Sequence, residues 1–333
     1  MPARTTKLLS PHEIDTAADI IRTGGLVAFP TETVYGLGAN ALDAAAARSI
    51  FTAKKRPSFD PLIVHLATLH DVSRVAADIP EKALKAFEAF WPGPFTAILP
   101  KKECVPDVVT AGLPTVGVRI PRNELAHTLI ERSGCVVAAP SANLFSHTSP
   151  TTAAAVEQML SGRIDAIVEG GACHVGVEST IVSFCEDPPV VYRAGGVSIE
   201  EVEACIGPVR TAPSKGDEKK APGRSLRHYA PQTPLYLNAQ QSDFPQGASL
   251  GLLAFGPEGN RHGYEVVQNL SCTGNLTEAA RNLYAFMRSF DEYDLSAILV
   301  ETIPFTGLGR AINDRLLRAS EDGFKKEAFP QGS

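Results

Sequence analysis

Three consecutive cations, Lys54, Lys55 and Arg56, stand in a 333-residue chain whose formal net charge is −6. Such a run is either a solvated helix end favoured by the helix dipole or one wall of an anion site. Four other segments favour the wall. Thr31-Glu32-Thr33, Arg119, Ser141-Ala142-Asn143 and Ser179-Thr180 all lie at or beside short apolar runs that read as strands. In an open α/β sheet the strand ends converge on one crevice. Clustered cations beside Ser, Thr and Asn donors suit a polyphosphate.

Common catalytic classes are not visible. The chain has no GxxxxGK[ST] loop, no GxSxG elbow and no HExxH pair. His65 and His228 could act as bases, but a lone histidine in or after a strand is more often a packed, hydrogen-bonded residue. No carboxylate pair stands out for acid–base work. A nucleotide site without an evident base points to catalysis by positioning and charge neutralisation.

The elements that must carry these residues follow from periodicity. Leu26 to Phe29 reads as a buried strand stopped by Pro30. A helix from Asp43, its N-cap, to about Ala53 delivers the three cations, and Pro57 ends it. Leu62 to Leu66 is a second apolar strand and carries His65. Ser10-Pro11-His12-Glu13 is a capping box that opens a helix ending at Gly24-Gly25. Further strands are expected at Phe95–Leu99, Thr115–Ile120, Cys135–Ala139, Asp165–Val168, Val177–Val182 and Val190–Arg193, and further helices near 81–90, 124–131, 153–160 and 199–205. The fold class is α/β.

The length favours two domains. From Pro208 to Pro234 the chain carries five prolines and six Lys and Arg against Asp217 and Glu218, a basic linker. Its second half, Pro222 to Pro231, combines Arg, His and Tyr and is more than a spacer. The expected domains are residues 1–208, a linker at 209–233 and a smaller α/β unit at 234–333. In that unit Gly307-Leu308-Gly309 is a weak phosphate-loop signal and reads as a turn. The six cysteines are scattered without a CxxC pair, which fits reduced thiols. No apolar run suggests a signal peptide or membrane span. The expectation is a cytoplasmic protein with no membrane partner.

Longer words add a family. FPTETVYGLG, Lys54-x-Arg56, PLIVH, TVGVR, Ser141-x-Asn143, SPTT, ESTIV and YR-GG occur in the order found in YrdC-like proteins, and residues 10–205 resemble that domain. PG…RHYAP and the segment from Gly307 to Leu316 resemble the long form of the family, which adds a C-terminal Rossmann-like domain. The resemblance implies a twisted, open mixed sheet with helices and an L-threonylcarbamoyladenylate synthase activity. Threonine, bicarbonate or CO2, and ATP would give threonylcarbamoyl-AMP and pyrophosphate, the activated intermediate for the t6A modification of tRNA. Lys54 and Arg56 would be catalytic. With Asp60, Thr115, Asn143, Thr151 and Arg193 they would hold ATP, and Tyr229 would close over the nucleotide from the linker. Thr33, His65, Arg119, Ser141 and Ser179 would hold L-threonine. Mg2+ is expected on the ATP phosphates, without an assignable protein ligand. The product would pass to a tRNA threonylcarbamoyl-transferase. Lys55 stands where the family usually has glycine, and Asp60 where it has asparagine.

Two other classes stay open. An RNA-binding module could grip tRNA weakly through the cationic crevice and basic linker, although the acidic net charge weighs against it. A carbamoyl-transfer enzyme is the other, but the acylphosphatase and zinc-finger segments that accompany that activity are not found in the sequence.

Overall fold

The structure is a computed structural model that describes residues 5–213, 221–223, 228–259 and 261–321. The chain divides into two compact units. The first comprises the described residues through Phe145 and from Ser149 to Gly223. The second comprises Ser146–Thr148 and the described residues from His228 onward. The division falls inside the expected linker.

The first unit is built on an eleven-stranded sheet. Its strands are β1 (Lys7–Leu9), β2 (Val27–Phe29), β3 (Gly36–Asn40), β4 (Ile63–His65), β5 (Phe95–Pro100), β6 (Thr115–Arg119), β7 (Val137–Ala138), β8 (Ala166–Val168), β9 (Thr180–Ser183), β10 (Val190–Arg193) and β11 (Arg210–Thr211). Their order is β1-β8-β2-β3-β7-β4-β6-β5-β9-β10-β11, with parallel and antiparallel pairs mixed. Three of these strands, β1, β3 and β11, were not anticipated from sequence. β1 is a three-residue edge strand held by β8. β3 reads GLGAN, which looks like a turn. Its glycines make room for a neighbour: a Cβ on Gly38 would lie 2.7 Å from the Phe29 ring and 2.9 Å from Val137. Phe29 faces Gly36 across the β2–β3 pair.

Register then places the polar ends. β4 and β6 run parallel with His65 opposite Arg119. The edge of the Phe29 ring meets the His65 ring at 6.3 Å and 89°. Gly195 has no space for a side chain, since its Cβ would sit 2.3 Å from Glu178 O and from the Ser179 carbonyl carbon. The backbone after β10 thus packs directly on the Ser179 segment. β11 pairs with Val190 and Val191, so the start of the basic linker is a strand of this sheet. Ala221 is buried in the apolar cluster of Ile63, Ile98, Ile181, Val190 and Tyr192.

Helices behave as their caps dictate. Ser10 and Glu13 form the expected capping box ahead of the helix Ile14–Arg22. Asp43 accepts the N–H groups of Ala45 and Ala46 at 2.8 and 3.2 Å and opens the helix Ala44–Lys54. Lys55 ends that helix at φ +52, in the left-handed region. The turn aims Lys54 and Arg56 inward and leaves Lys55 outside.

The second unit holds β12 (Leu235–Tyr236), β13 (Leu250–Ala254), β14 (Val266–Asn269) and β15 (Ala297–Val300). All pair in parallel, in the order β12-β15-β13-β14. The helices Leu276–Ser289 and Leu308–Ala319 accompany them. Gly307 is the N-cap of the latter at φ +51, so the GLG word starts a helix. Among the described residues no helix is long and apolar enough to cross a membrane.

A left-handed residue with a side chain costs about 1–2 kcal/mol relative to glycine's freedom there, less the greater backbone entropy that glycine loses on folding. Lys55→Gly is therefore expected to stabilise the protein by about 0.5–1 kcal/mol while leaving Lys54 and Arg56 in place. A urea midpoint that falls, measured by circular dichroism, would refute this.

Candidate active site

The first cluster joins the two motifs that lie far apart in sequence. The loop after β7 is tied to the turn before β3: Leu37 donates to Pro140 O, Ala142 to Tyr35 O, and Ser141 bridges Gly36. Lys54 reaches this loop from its helix end. Its Nζ lies 2.5 Å from Ser141 O, 2.6 Å from Asn143 O and 3.4 Å from Asn143 Oδ1. An ammonium has three donors and no acceptor, so these oxygens can use all three. Lys54 is 1% exposed. Burial and the Arg56 cation push it well below the ordinary lysine range, and Asp60 pulls it back. Ser141 Oγ donates to Asn143 Oδ1 at 2.5 Å, and Asn143 Nδ2 donates to Leu144 O at 2.7 Å.

Arg56 turns the other way. Its Nη2 lies 2.9 Å from Asp60 Oδ2 and 2.9 Å from Pro61 O. Burial raises Asp60 above the usual carboxylate range, while Arg56, Lys54 and Arg193 together oppose that rise. Arg193 donates from Nε and Nη2 to Ser179 O, and from Nη1 to Pro222 O at 3.2 Å. Thr115 lines a narrow cleft with Thr96, Ile181 and Pro222. The Pro222-Gly223 word of the linker thus lies beside Asp60, Thr115 and Arg193, within the first unit. Three formal positive charges surround one negative charge here, all four groups buried.

The second cluster centres on Arg119. Its Nε donates to Gly93 O at 3.1 Å, Nη1 to Thr33 Oγ1 at 3.0 Å and Nη2 to Glu32 Oε1 at 2.7 Å. Thr33 Oγ1 also meets Thr31 Oγ1 at 2.8 Å. Beside Arg119 in register, His65 is fully buried; burial first, and the Arg119 cation second, push its pKa down to about 3. Its Nδ1 lies 3.3 Å from Ile63 O, so the neutral ring donates there and Nε2 is left as an acceptor. Ser179 Oγ pairs with Thr96 Oγ1 at 2.7 Å and receives Arg193 Nη2 at 3.2 Å. Ser179 is thus tied to the first cluster through Arg193.

Comparison with known proteins bears on both. Residues 19–195 match the Sua5_yciO_yrdC family, described as telomere recombination. Residues 197–321 match the family described as threonylcarbamoyl-AMP synthase, C-terminal domain. A threonylcarbamoyl-AMP synthase of Pyrococcus abyssi is 44% identical, covering 92% of this chain and 94% of its own length. One from Bacillus subtilis is 41% identical, covering 92% and 93%. The chain belongs to the Sua5/YciO/YrdC family. A crystal structure of Pyrococcus abyssi Sua5 complexed with L-threonine superimposes with a TM-score of 0.89 at 40% identity, over 96% of this chain and 98% of that one.

Against this family frame, the remaining expected site residues can be placed. Thr151 is buried, and its carbonyl accepts the Cys173 N–H at 2.9 Å. Tyr229 belongs to the second unit. It takes φ +64, its ring centroid is 4.0 Å from that of His228 and 5.8 Å from that of Tyr284, and the Arg315 guanidinium carbon lies 5.2 Å from it. Arg224 to Arg227 of the preceding linker word lie outside the described residues. Two buried carboxylates were not singled out from sequence. Glu32 pairs with Arg119, and Glu178 accepts Ser149 Oγ at 2.6 Å. The available signal was Arg119 itself, because a buried guanidinium requires a partner. Among the described residues no three His, Cys, Asp or Glu side chains group to hold a metal.

Two outcomes follow from this geometry. Lys54→Met keeps the bulk but leaves Ser141 O and Asn143 O without their donor. It should cost about 1–3 kcal/mol of stability and about 100- to 1000-fold in turnover; wild-type turnover would remove the cationic cluster from the chemistry. For His65 the folded pKa near 3 lies below the ordinary 6.5. The unfolded chain then takes up the proton first, so stability is lost as pH falls from 6.5 towards 3, by at most about 1.4 kcal/mol per unit. His65→Gln should flatten that part of the profile of urea midpoints against pH; an unchanged slope would refute the assignment.

Proposed function

We infer that this chain is a threonylcarbamoyl-AMP synthase, condensing L-threonine, bicarbonate or CO2, and ATP into threonylcarbamoyl-AMP and pyrophosphate. The observation that carries the reading is the buried cluster of Lys54, Arg56 and Arg193 around Asp60, with the Ser141–Asn143 loop held on Lys54. It supplies an excess of positive charge beside hydroxyl and amide groups, which suits a triphosphate. The relatives' shared name and the threonine-bound Sua5 support the choice of substrates.

In this reading the site has a nucleotide side and an amino-acid side. Lys54, Arg56, Asp60, Thr115, Asn143, Thr151 and Arg193 hold ATP. Thr33, His65, Arg119, Ser141 and Ser179 hold L-threonine, with Arg119 facing its carboxylate. For Tyr229 the family resemblance is the sole support. Mg2+ enters as part of the MgATP substrate, neutralising phosphate charge.

The chemistry is one carbon–nitrogen bond and one phosphoryl exchange. The threonine amine loses a proton and bonds to the carbon of CO2, giving a carbamate; from bicarbonate the same step releases water. A carbamate oxygen then bonds to the α-phosphorus as the bond from that phosphorus to the pyrophosphate oxygen breaks. Lys54, Arg56 and Arg193 offset the negative charge that gathers on the phosphates. His65, neutral at working pH, offers Nε2 as an acceptor to the amino acid. Its depressed pKa makes it a poor base at neutral pH, so the amine's proton leaves on a substrate oxygen; with bicarbonate, this is the oxygen that departs as water. Burial keeps water from a hydrolysable acyl-adenylate.

We place the product upstream of a tRNA threonylcarbamoyl-transferase in the t6A modification, in the cytoplasm. Weak contact with tRNA through the basic linker is a secondary reading motivated by its composition. A salt-sensitive gel shift with unmodified tRNA would support it, and no shift at low salt would end it. The decisive test is pyrophosphate release from MgATP with threonine and bicarbonate omitted in turn. Release should need both and favour threonine over serine. Release without threonine would assign a different acceptor and overturn the proposal.

A further inference from the structure

Glu32 lies outside the expected set of substrate-binding residues, yet it forms a buried ion pair with one of them. It sits in the turn after β2 and is 6% exposed. Its Oε1 accepts Arg119 Nη2 at 2.7 Å, and its Oε2 accepts the backbone N–H of Arg122 at 3.1 Å. Its own carbonyl accepts Val175 N–H at 2.8 Å. One residue thereby joins the turn after β2, the chain leaving β6 and the segment before β9. With Gly93 O and Thr33 Oγ1 on the other edges, three of the five guanidinium N–H donors of Arg119 have fixed partners. The plane of the guanidinium is set before any substrate arrives.

We propose that Glu32 is a positioning residue for amino-acid recognition: it fixes and neutralises Arg119, so that the remaining guanidinium donors meet the threonine carboxylate in one orientation. This rests on the synthase reading above. Charge explains why a carboxylate is used. Arg119 shares its site with substrates that are themselves anions, bicarbonate and the ATP phosphates. A buried cation without a partner would attract any of them. Paired with Glu32 it is formally neutral, and selection falls to the geometry of the two remaining donors.

The outer side of Glu32 makes the proposal testable. It faces an open groove of about 710 Å³ that Phe90, Arg122, His174 and Glu201 also line, while Arg119 does not. Truncating Glu32 to alanine removes a carboxylate from between that groove and Arg119, and formate is the small carboxylate that would replace it.

Glu32→Gln offers one amide oxygen to two donors and turns its NH2 on the other, so the anchor is half lost. In the full-length protein, pyrophosphate release is measured against threonine at saturating ATP, and against ATP at saturating threonine. Glu32→Gln should raise the threonine KM about tenfold, equivalent to one misplaced charge-assisted hydrogen bond, with the ATP KM within about twofold. Glu32→Ala should share that defect and recover several-fold with added formate, but not with chloride at equal ionic strength. An unchanged threonine KM, equal rises in both KM values, or formate acting no better than chloride would overturn the proposal. Calorimetric titration of L-threonine into wild type and Glu32→Gln separates the two readings. A wild type that binds threonine more tightly than the variant but releases no pyrophosphate would sink the synthase reading and keep Glu32's role. Equal affinities, or no threonine binding by wild type, would sink the role itself.

Discussion

The site depends on keeping cations out of water. Lys54 is the extreme case, an ammonium on the last turn of a helix with 1% of its surface exposed. Isolated burial of such a charge is prohibitive, and the solution is geometric. The carbonyls of Ser141 and Asn143 converge on one nitrogen. That contact fixes the loop as much as it fixes the lysine. It demands that β7 end where it does and that the loop be zipped to Tyr35 and Gly36. The helix must also stop sharply enough to turn Lys55 out and Arg56 in, which explains the left-handed Lys55.

The two halves of the site balance charge differently. Around Asp60 three cations share one carboxylate, leaving an excess of positive charge. Around Arg119 the single cation has its own carboxylate in Glu32, and the neighbouring histidine is kept neutral. A triphosphate needs net charge, whereas a zwitterionic amino acid needs direction. Ser179, held by Arg193 and Thr96, is followed by Thr180, whose N–H donates to Pro94 O beside the Gly93 carbonyl that Arg119 uses. The Ser179 backbone is also pressed against Gly195.

Much of this was legible in the sequence. Caps and apolar periodicity located the helices Ala44–Lys54 and Glu81–Phe90 within a residue or so, because those signals are local. The family words brought Lys54, Arg56, Ser141 and Asn143 into one expected site. What could not be read was non-local. β3 looked like a turn because its glycines are shaped by the Phe29 ring, across a strand pair. β1 and β11 are too short to show a period, and each exists through one partner strand. Glu32 carried no signal of its own, since Arg119 lies 87 residues away. Composition made the linker look like a spacer at its start. There β11 extends the sheet and Ala221 fills an apolar cluster, while Pro222, which opens the half read as more than a spacer, accepts from Arg193.

Net charge was the least informative number, and the structure explains why. At −6 the surface field of the whole protein repels polyanions, which argues against broad adhesion to nucleic acid. A triphosphate, however, responds to the field where it binds. Low-dielectric walls focus that field and screening weakens it less than at the surface. Lys54, Arg56 and Arg193 supply three charges within such walls, and together they are under a tenth of the 31 Lys and Arg in the chain. An acidic exterior with a cationic crevice therefore favours a small anion over a polymer. That selection arises from burial, and no sum over the sequence can reveal it.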